Sequence, residues 1–255
     1  MILKKEIKYL VSLKQKKFRI LNHEFVIEGE KLILEALKHN QPIKQIIYST
    51  KIESFDEIRM QSKKNNIELS VCTVRDAERI SDTKNSQQIF ALLEYPNLKN
   101  IENVDSCLQK PLIILDGISD PGNMGTILRT CSWFGCYNIV ITNNSVELYN
   151  PKTVRSGMGA HFHMENIYKG SINNITQYLT NYEYEVLAAD LKGKNIETIK
   201  LKNKSWALIL GNESKGISNQ FKNISQQIHI PGKGKMESLN VAEAGSIVIH
   251  YLSKK

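Results

Sequence analysis

The sequence has few cysteines, and none of them has the spacing of a metal site. The four cysteines contain no CxxC pair, and no histidines cluster at metal-ligand spacing. We therefore expect no bound metal. Cys131 and Cys136 flank an apolar segment, which predicts core positions in a reducing compartment.

Long hydrophobic runs are also missing. No apolar stretch approaches the roughly 20 residues of a membrane span, and the N-terminus is too charged and interrupted for a signal peptide. The expected location is the cytoplasm, without a membrane partner. The 255 residues are 41% hydrophobic, which is enough for one large or two small globular domains.

Two glycine-rich loops lack the residues that nucleotide-binding motifs require. Gly211 and Gly216 have the spacing of a phosphate-binding loop, but Ile217 occupies the position of its lysine. The segment 232–234 lacks the third glycine of a dinucleotide fingerprint and lies near the chain end. Each loop follows a short apolar run typical of a buried parallel strand, so together they predict a small-molecule site of another kind, or no bound molecule at all.

Positive charge is concentrated at one end of the chain. The first 20 residues contain seven basic side chains and one acid, which is +6 of the net charge of +8. Their apolar positions, Leu3, Ile7, Leu10 and Val11, predict an amphipathic helix. Such a patch favours a polyanion, with nucleic acid the first candidate, while a solvated lysine-rich helix is the alternative.

Strand and helix patterns alternate along the whole chain and predict an α/β protein. We expect an N-terminal domain over 1–95, a linker over 96–110 between two prolines, and a second domain over 111–255. Predicted strands cover 25–27, 43–48, 67–72, 89–95, 112–115, 138–142, 185–189, 207–210 and 228–230. Predicted helices cover 31–37, 54–64, 151–158, a segment from 121 that stops at Gly135, and a segment from 241.

Three polar constellations carry possible chemistry. In the first, Asn123 follows a strand and a loop, and Arg129 is close enough along the predicted helix to reach a phosphate. The second is Asn212 with Glu213, at the end of a buried strand. The third is the segment 238–240, before the last helix. Taken singly, each has a structural alternative: a plain strand–helix turn, a capping pair and an N-cap.

Together, these constellations resemble the SpoU/TrmH family of RNA 2′-O-ribose methyltransferases, within the SPOUT superfamily. The three family motifs are matched by Asn123, Gly125, Arg129 and Phe134-Gly135; by Gly211, Glu213 and Gly216; and by Ile230-Pro231, Gly234 and Ser238-Leu239-Asn240-Val241-Ala242. The segment 151–160 is similar to the family's intermediate segment. Residues 8–95, with Glu28-Gly29-Glu30-Lys31, resemble an L30e-like substrate-binding domain that precedes the catalytic domain in one branch.

The resemblance implies a parallel sheet with a deep trefoil knot, an exception to the usual absence of knots. It implies S-adenosylmethionine bound near Gly211, Ile230 and Leu239, and a homodimer. The implied activity is 2′-O-methylation of RNA, with ribosomal RNA, 23S in particular, as the expected target. A tRNA target and a non-catalytic RNA-binding protein are the alternatives. The basic loop 232–235 and Glu243 depart from the family pattern.

The resemblance also implies roles for individual residues. A guanidinium with a pKa above about 12 is a poor base, so Arg129 is expected to hold the phosphate beside the target ribose. Glu213 is expected to orient a hydroxyl or accept its proton. Asn123, Ser238 and Asn240 would fix the geometry through hydrogen bonds.

Overall fold

The computed structural model describes residues 1–108, 111–202 and 205–254. These residues form two compact units. The first contains Met1–Asn97 and Glu147–Phe162, and the second contains Leu98–Val146 and the chain from His163 onward. Among the described residues, no helix is both long and apolar enough to cross a membrane.

The first unit is built on a mixed four-stranded sheet in the order β1-β4-β2-β3. Its strands pair antiparallel except for the parallel pair β2 and β3. The strands are β1 (Glu24–Glu28), β2 (Ile43–Ser49), β3 (Glu68–Cys72) and β4 (Ile89–Glu94). The helices are α1 (Lys4–Ser12), α2 (Lys16–Asn22), α3 (Glu30–Lys38), α4 (Asp56–Lys64) and α5 (Val74–Ile80).

The amphipathic helix predicted at the N-terminus is confirmed as α1. Ile7 and Leu10 are buried against the sheet and α5, because their spacing places them on one face. The three lysines of α1 and the two lysines of α2 are exposed: Lys4, Lys5, Lys8, Lys16 and Lys17. Arg19, counted with them in the basic patch, is 1% exposed and is therefore unavailable to a polyanion.

The second unit contains a seven-stranded parallel sheet in the order β11-β9-β10-β6-β7-β8-β5. The strands are β5 (Lys99–Asn100), β6 (Leu112–Asp116), β7 (Asn138–Thr142), β8 (Asn166–Gly170), β9 (Glu185–Asn195), β10 (Trp206–Gly211) and β11 (Gln226–His229). The helices are α6 (Pro121–Trp133), α8 (Ile172–Asn181), α9 (Asn219–Ile224) and α10 (Val241–Leu252); α7 (Pro151–Gly157) lies in the first unit.

The apolar runs of this sheet explain its parallel arrangement. The residues 112–115 and 207–210 are fully buried, as expected for strands that are covered on both faces. The α/β class with a parallel sheet, predicted from these runs, is confirmed. Sequence reasoning did not identify β8 or α8, and it ended β9 six residues too early.

The predicted linker is not a free connector over its described part. Lys99 and Asn100 form β5 at the edge of the large sheet, paired with β8. Ile101 is fully buried in the core of the second unit, and Leu108 packs against that core. The isolated apolar residues of this polar segment are its anchors. Gln109 and Lys110 lie outside the described residues.

The segment 147–162 belongs to the first unit, although it was predicted as part of the C-terminal domain. Arg19 makes a buried, bidentate ion pair with Glu147. Its Nη1 also donates a hydrogen bond to the backbone oxygen of Leu13 at 2.7 Å. The ring of Tyr149 lies 4.8 Å from that of Phe25 and 4.7 Å from that of Tyr95. The chain therefore passes from the second unit into the first and back.

Candidate active site

The site lies where the central strands β6 and β10 end. They are parallel neighbours, and Gly211 at the end of β10 is in register with Asp116 at the end of β6. Because parallel strands end at the same edge of the sheet, the loops that follow them start side by side. This geometry brings the first and second constellations together.

Asn123 lies in the first turn of α6, which is oriented by a side-chain cap. Pro121 is the first helical residue, and Oδ1 of Asp120 accepts the backbone N–H of Asn123 at 2.9 Å. The Nδ2 of Asn123 donates to Oε1 of Glu213 at 2.8 Å. Its Oδ1 accepts from Nδ2 of Asn240 at 3.0 Å. One carboxamide therefore joins all three motifs.

Glu213 accepts hydrogen bonds at both of its carboxylate oxygens. Oε2 accepts from Oγ of Ser119 at 2.8 Å and from its N–H at 3.3 Å, while Oε1 accepts from Asn123 and from the N–H of Asp120 at 3.3 Å. Four bonds occupy the acceptor capacity of a carboxylate. Burial raises the pKa of Glu213, but the bonds from Asn123 and Ser119 outweigh it and leave the pKa below its usual value. Glu213 is thus an ionised acceptor that orients Asn123, a geometry that does not favour proton transfer to it.

The loop 212–218 is closed by contacts that sequence reasoning missed. Asp116 is 2% exposed, and its carboxylate accepts the N–H of Ser218 at 2.7 Å and its Oγ at 3.0 Å. The Nδ2 of Asn212 donates to the backbone oxygen of Gly117 at 2.6 Å. The signal for Asp116 was a carboxylate at the end of an otherwise apolar strand.

Gly211 is required by a close approach of the backbone within this loop. A Cβ at position 211 would lie 2.7 Å from the carbonyl carbon and oxygen of Gly216. The residues on either side of the loop pair through their backbones, at 3.1 and 2.9 Å between Asn212 and Gly216. Any side chain at 211 would therefore open the loop that carries Glu213.

Asn240 of the third motif caps the last helix and also contacts the first motif. Asn240 caps α10, with Oδ1 accepting the N–H of Ala242 at 2.8 Å, while its Nδ2 reaches Asn123. The preceding residues 231–239 are exposed, including Ser238 and Leu239. Ile230, half-buried, follows β11 directly.

Residues 110–250 match the SpoU rRNA Methylase family. The chain belongs to this family. The match covers more than half of the chain, which confirms the family predicted from the three motifs and, with it, the prediction of a methyltransferase. Residues 4–91 match the MRM3-like substrate binding domain, which confirms a substrate-binding domain at the N-terminus.

Relatives of this SpoU protein cover nearly its whole length. It is 30% identical over 247 residues to the 23S rRNA (guanosine(2553)-2′-O)-methyltransferase RlmP of Bacillus subtilis, covering 94% of this chain and 93% of that protein. It is similar to the structure of a putative TrmH-family RNA methyltransferase from Porphyromonas gingivalis, with a TM-score of 0.81, 28% identity and 98% of each chain covered. An rRNA methyltransferase from Sinorhizobium meliloti has a TM-score of 0.86 at 25% identity, covering 100% of this chain and 96% of that one.

Arg129 of this SpoU protein is separate from the Asn123 network. It lies on the exposed side of α6, six residues after Asn123, and a helix turns about 100° per residue. The two side chains therefore do not share a helix face. Arg129 makes no hydrogen bond or ion pair with the residues that the structure describes, so its charge faces solvent.

The structure thus separates the predicted site residues into two sets. Asn123 contacts both Glu213 and Asn240, and Gly211 shapes the loop that carries Glu213. Arg129, Ser238, Ile230 and Leu239 lie on surrounding elements without a described contact to that network. These outer residues remain candidates for holding a cofactor and RNA.

Proposed function

We propose that this protein transfers a methyl group from S-adenosylmethionine to the 2′-oxygen of a ribose in 23S ribosomal RNA. The main support for this proposal is the carboxamide of Asn123, which is held between Glu213 and Asn240. An enzyme that methylates a hydroxyl must hold that oxygen in one position, and positioning alone supplies a large part of such catalysis. The RlmP relative acts on 23S rRNA, which supports the choice of target.

The chain's residues fit the methyl donor at the same edge of the sheet. Gly211, Ile230 and Leu239 would hold it, in the loops after β10 and β11 and before α10. Gly211 allows its loop to turn tightly against the backbone of Gly216, and Leu239, 48% exposed, offers apolar surface that nothing in the described chain covers. When bound, S-adenosylmethionine supplies a methyl group already activated by its positively charged sulfur.

The other site residues position the RNA. After its two observed side-chain bonds, Asn123 retains one amide hydrogen and one acceptor lone pair, and these can orient the ribose hydroxyl. Arg129 binds the neighbouring phosphate with a charge that no described residue neutralises. Ser238, two residues before Asn240, offers a hydroxyl that has no hydrogen-bond partner among the described residues. Glu213 keeps Asn123 in one orientation throughout.

Further features of the assembly belong to the same proposal. We propose a deep trefoil knot in the second unit, supported by β10 lying between β9 and β6 and by α10 packing on α6. We propose a homodimer, supported by exposed Trp133 and Ile247 on these two helices, at 83% and 44% exposure. An L30e-like fold over 1–95, a methyltransferase domain over 111–255 that contributes its segment 147–162 to the first compact unit, and a cytoplasmic location complete the proposal.

Methyl transfer to isolated RNAs tests the function. Purified protein and radiolabelled S-adenosylmethionine are incubated with unmodified 23S rRNA, 16S rRNA and bulk tRNA, and the methylated ribose is mapped. We expect one 2′-O-methyl site in 23S rRNA. The same methyl group should be missing from the 23S rRNA of a strain that lacks the gene. If only tRNA is methylated, the target is tRNA rather than 23S rRNA. If the protein neither methylates RNA nor binds the cofactor, it is a non-catalytic RNA-binding protein.

A further inference from the structure

We propose that a cleft in the first unit binds one unpaired nucleotide of the RNA substrate. This inference rests on the proposed function, because it assigns the surface with which the substrate-binding domain holds RNA. The cleft lies beside the turn from β1 into α3. Its lining combines amide, cationic and apolar side chains, among them Lys31, Leu32, Asn85, Gln87, Arg155 and Met158.

The cleft is built by the carboxylate of Glu28, at the end of β1. It accepts hydrogen bonds from Oγ of Ser81 and Oγ of Ser86, both at 2.7 Å, and from the N–H of Gln87 at 2.9 Å. These bonds fix the loop 81–88 against the start of α3. A half-buried carboxylate with three donors holds the loop in place, so one wall of the cleft is set before any ligand arrives.

Gly29 allows the two walls to approach each other. Its φ of +109° is a conformation that favours glycine, and a Cβ there would lie 2.8 Å from Oε1 of Gln87. The side chain of Gln87 therefore crosses over the backbone at the turn. This close approach explains why position 29 is a glycine. The resemblance to the substrate-binding domain included the segment 28–31 but assigned no role to this residue.

Two free carboxamides line the rim of the cleft. Asn85 and Gln87 are exposed, and their side-chain amides make no hydrogen bond within the part of the chain that the structure describes. Each amide offers donors and an acceptor together. Proteins read the edges of unpaired bases with this combination, and unpaired bases are the main targets of sequence-specific RNA recognition.

Cationic side chains line the cleft beside the amides. Lys31 is exposed in the first turn of α3, next to exposed Glu30, and has no ion pair among the described residues. Arg155 faces Asp82 at 3.5 Å, with both side chains over a third exposed, so solvent weakens that pair. Glu28, the remaining acid, is held by its three hydrogen bonds. A phosphate can therefore contact Lys31 and Arg155.

Apolar surface completes the site. Leu32 is 5% exposed and forms part of the lining, while Met158 is 47% exposed at the other side. A flat base can rest against a flexible methionine side chain. An amide rim, an apolar wall and two cations correspond to the edge, the face and the phosphate of one nucleotide.

Binding of short RNAs by the full-length protein tests the inference. The probes are fluorescein-labelled decamers of A, C, G and U, titrated over a range of salt concentrations, with the four mononucleotides as competitors. The variants are Lys31→Ala and the double variant Asn85→Ala with Gln87→Ala. Lys38→Ala is the matched control, because Lys38 is an exposed lysine at the other end of α3. Asn85→Asp is a second probe of the rim that keeps its size.

We expect the wild type to prefer one decamer. Lys31→Ala should bind all four more weakly and make the slope of log K against log salt shallower by about 0.7, the value for one contact to a single strand. The double variant should lose the base preference, by at least about fivefold on the preferred decamer. Asn85→Asp should weaken binding further by charge repulsion, and Lys38→Ala should match the wild type.

Each contrary result has a separate meaning. A double variant that keeps wild-type affinity, slope and base preference would overturn the cleft, and so would mononucleotides that compete without any preference for the base of the preferred decamer. A wild type that methylates 23S rRNA while all cleft variants bind normally leaves the proposed function standing. A wild type without cofactor binding or methyl transfer overturns the proposed function, whatever the decamers show. Circular dichroism of each variant confirms that it is folded.

Discussion

The Nδ2 of Asn240 donates a hydrogen bond to Oδ1 of Asn123, which lies 117 residues earlier, at 3.0 Å. The bond joins the residue that caps the last helix to the first turn of α6. Because Glu213 holds the other end of the same carboxamide at 2.8 Å, the Asn123 side chain is fixed from two sides. Three motifs that are far apart in sequence therefore act as one unit.

Removing this carboxamide should reduce turnover without removing the cofactor. We expect Asn123→Ala to lower kcat about 10²-fold or more, the order found when a positioning contact is lost. Asn240→Ala should lower kcat less and should not add fully to Asn123→Ala in a double-mutant cycle, since the two residues share one bond. Single-turnover methyl transfer is the measurement. Asn181→Ala, an exposed asparagine at the end of α8, is the control, and full additivity would contradict the coupling.

Glu213 should act as an ionised acceptor rather than as a base. We expect Glu213→Gln to lower kcat because an amide donor would face the donors of Ser119 or Asn123. The pH–rate profile of the wild type should show no inflection from Glu213 between about pH 6 and 9, because its pKa is lowered from a normal value of about 4.3. An inflection in that range that disappears in the variant would assign it as the proton acceptor.

The same lowered pKa has a consequence for stability. A carboxyl group with a lower pKa in the folded state binds more protons when unfolded, so its contribution is present above about pH 4.3. That contribution should be lost as the pH falls through the folded-state pKa. Urea unfolding of wild type and Glu213→Gln should therefore differ by a constant amount above about pH 5, and the difference should shrink at lower pH. A difference that grows on acidification would contradict the shift.

Gly211→Ala should weaken binding of S-adenosylmethionine. Its Cβ would lie 2.7 Å from the backbone of Gly216 and so displace the loop. We expect at least a tenfold loss in calorimetry, about 1.4 kcal/mol. Gly232→Ala is the matched control, since a Cβ at position 232 meets no atom within 4 Å. Equal affinities for the two variants would show that the cofactor does not depend on this loop.

Arg129→Ala should lose most turnover while it retains cofactor affinity. The charge faces solvent and makes no described contact within the protein, so its removal should affect RNA rather than the fold. We expect a loss of about 10²-fold in kcat, with partial recovery in Arg129→Lys because lysine keeps the charge but not the fork. Near-normal turnover of Arg129→Ala would make it a surface residue without a role.

Arg19→Ala should destabilise the protein strongly, although it lies outside the site. Arg19 and Glu147 have side chains only 2% and 6% exposed, and removing one partner leaves a buried charge. The expected cost is about 3–5 kcal/mol in urea unfolding.

A fragment that starts after the predicted linker should not fold well, because it lacks Ile101 and the surface that buries Tyr149. A stable, cofactor-binding fragment would contradict this interdependence.

The sequence alone determined features that depend on neighbouring residues. The runs 112–115 and 207–210 predicted buried parallel strands, because a strand covered on both faces must be apolar throughout. The spacing of Ile7 and Leu10 predicted α1, and Gly135 marked the end of α6. Three motifs in order were enough to identify the family.

Only the tertiary structure decided which distant residues meet. No local pattern records that Asn240 reaches Asn123, that Ser119 and Asn123 occupy the acceptors of Glu213, or that Asp116 holds Ser218. Nor does any local pattern show that Arg19 binds Glu147 and draws residues 147–162 into the first unit. These contacts depend on the order of strands in the sheets, and strand order is set by pairing between segments that are far apart in the chain, such as β6 and β10.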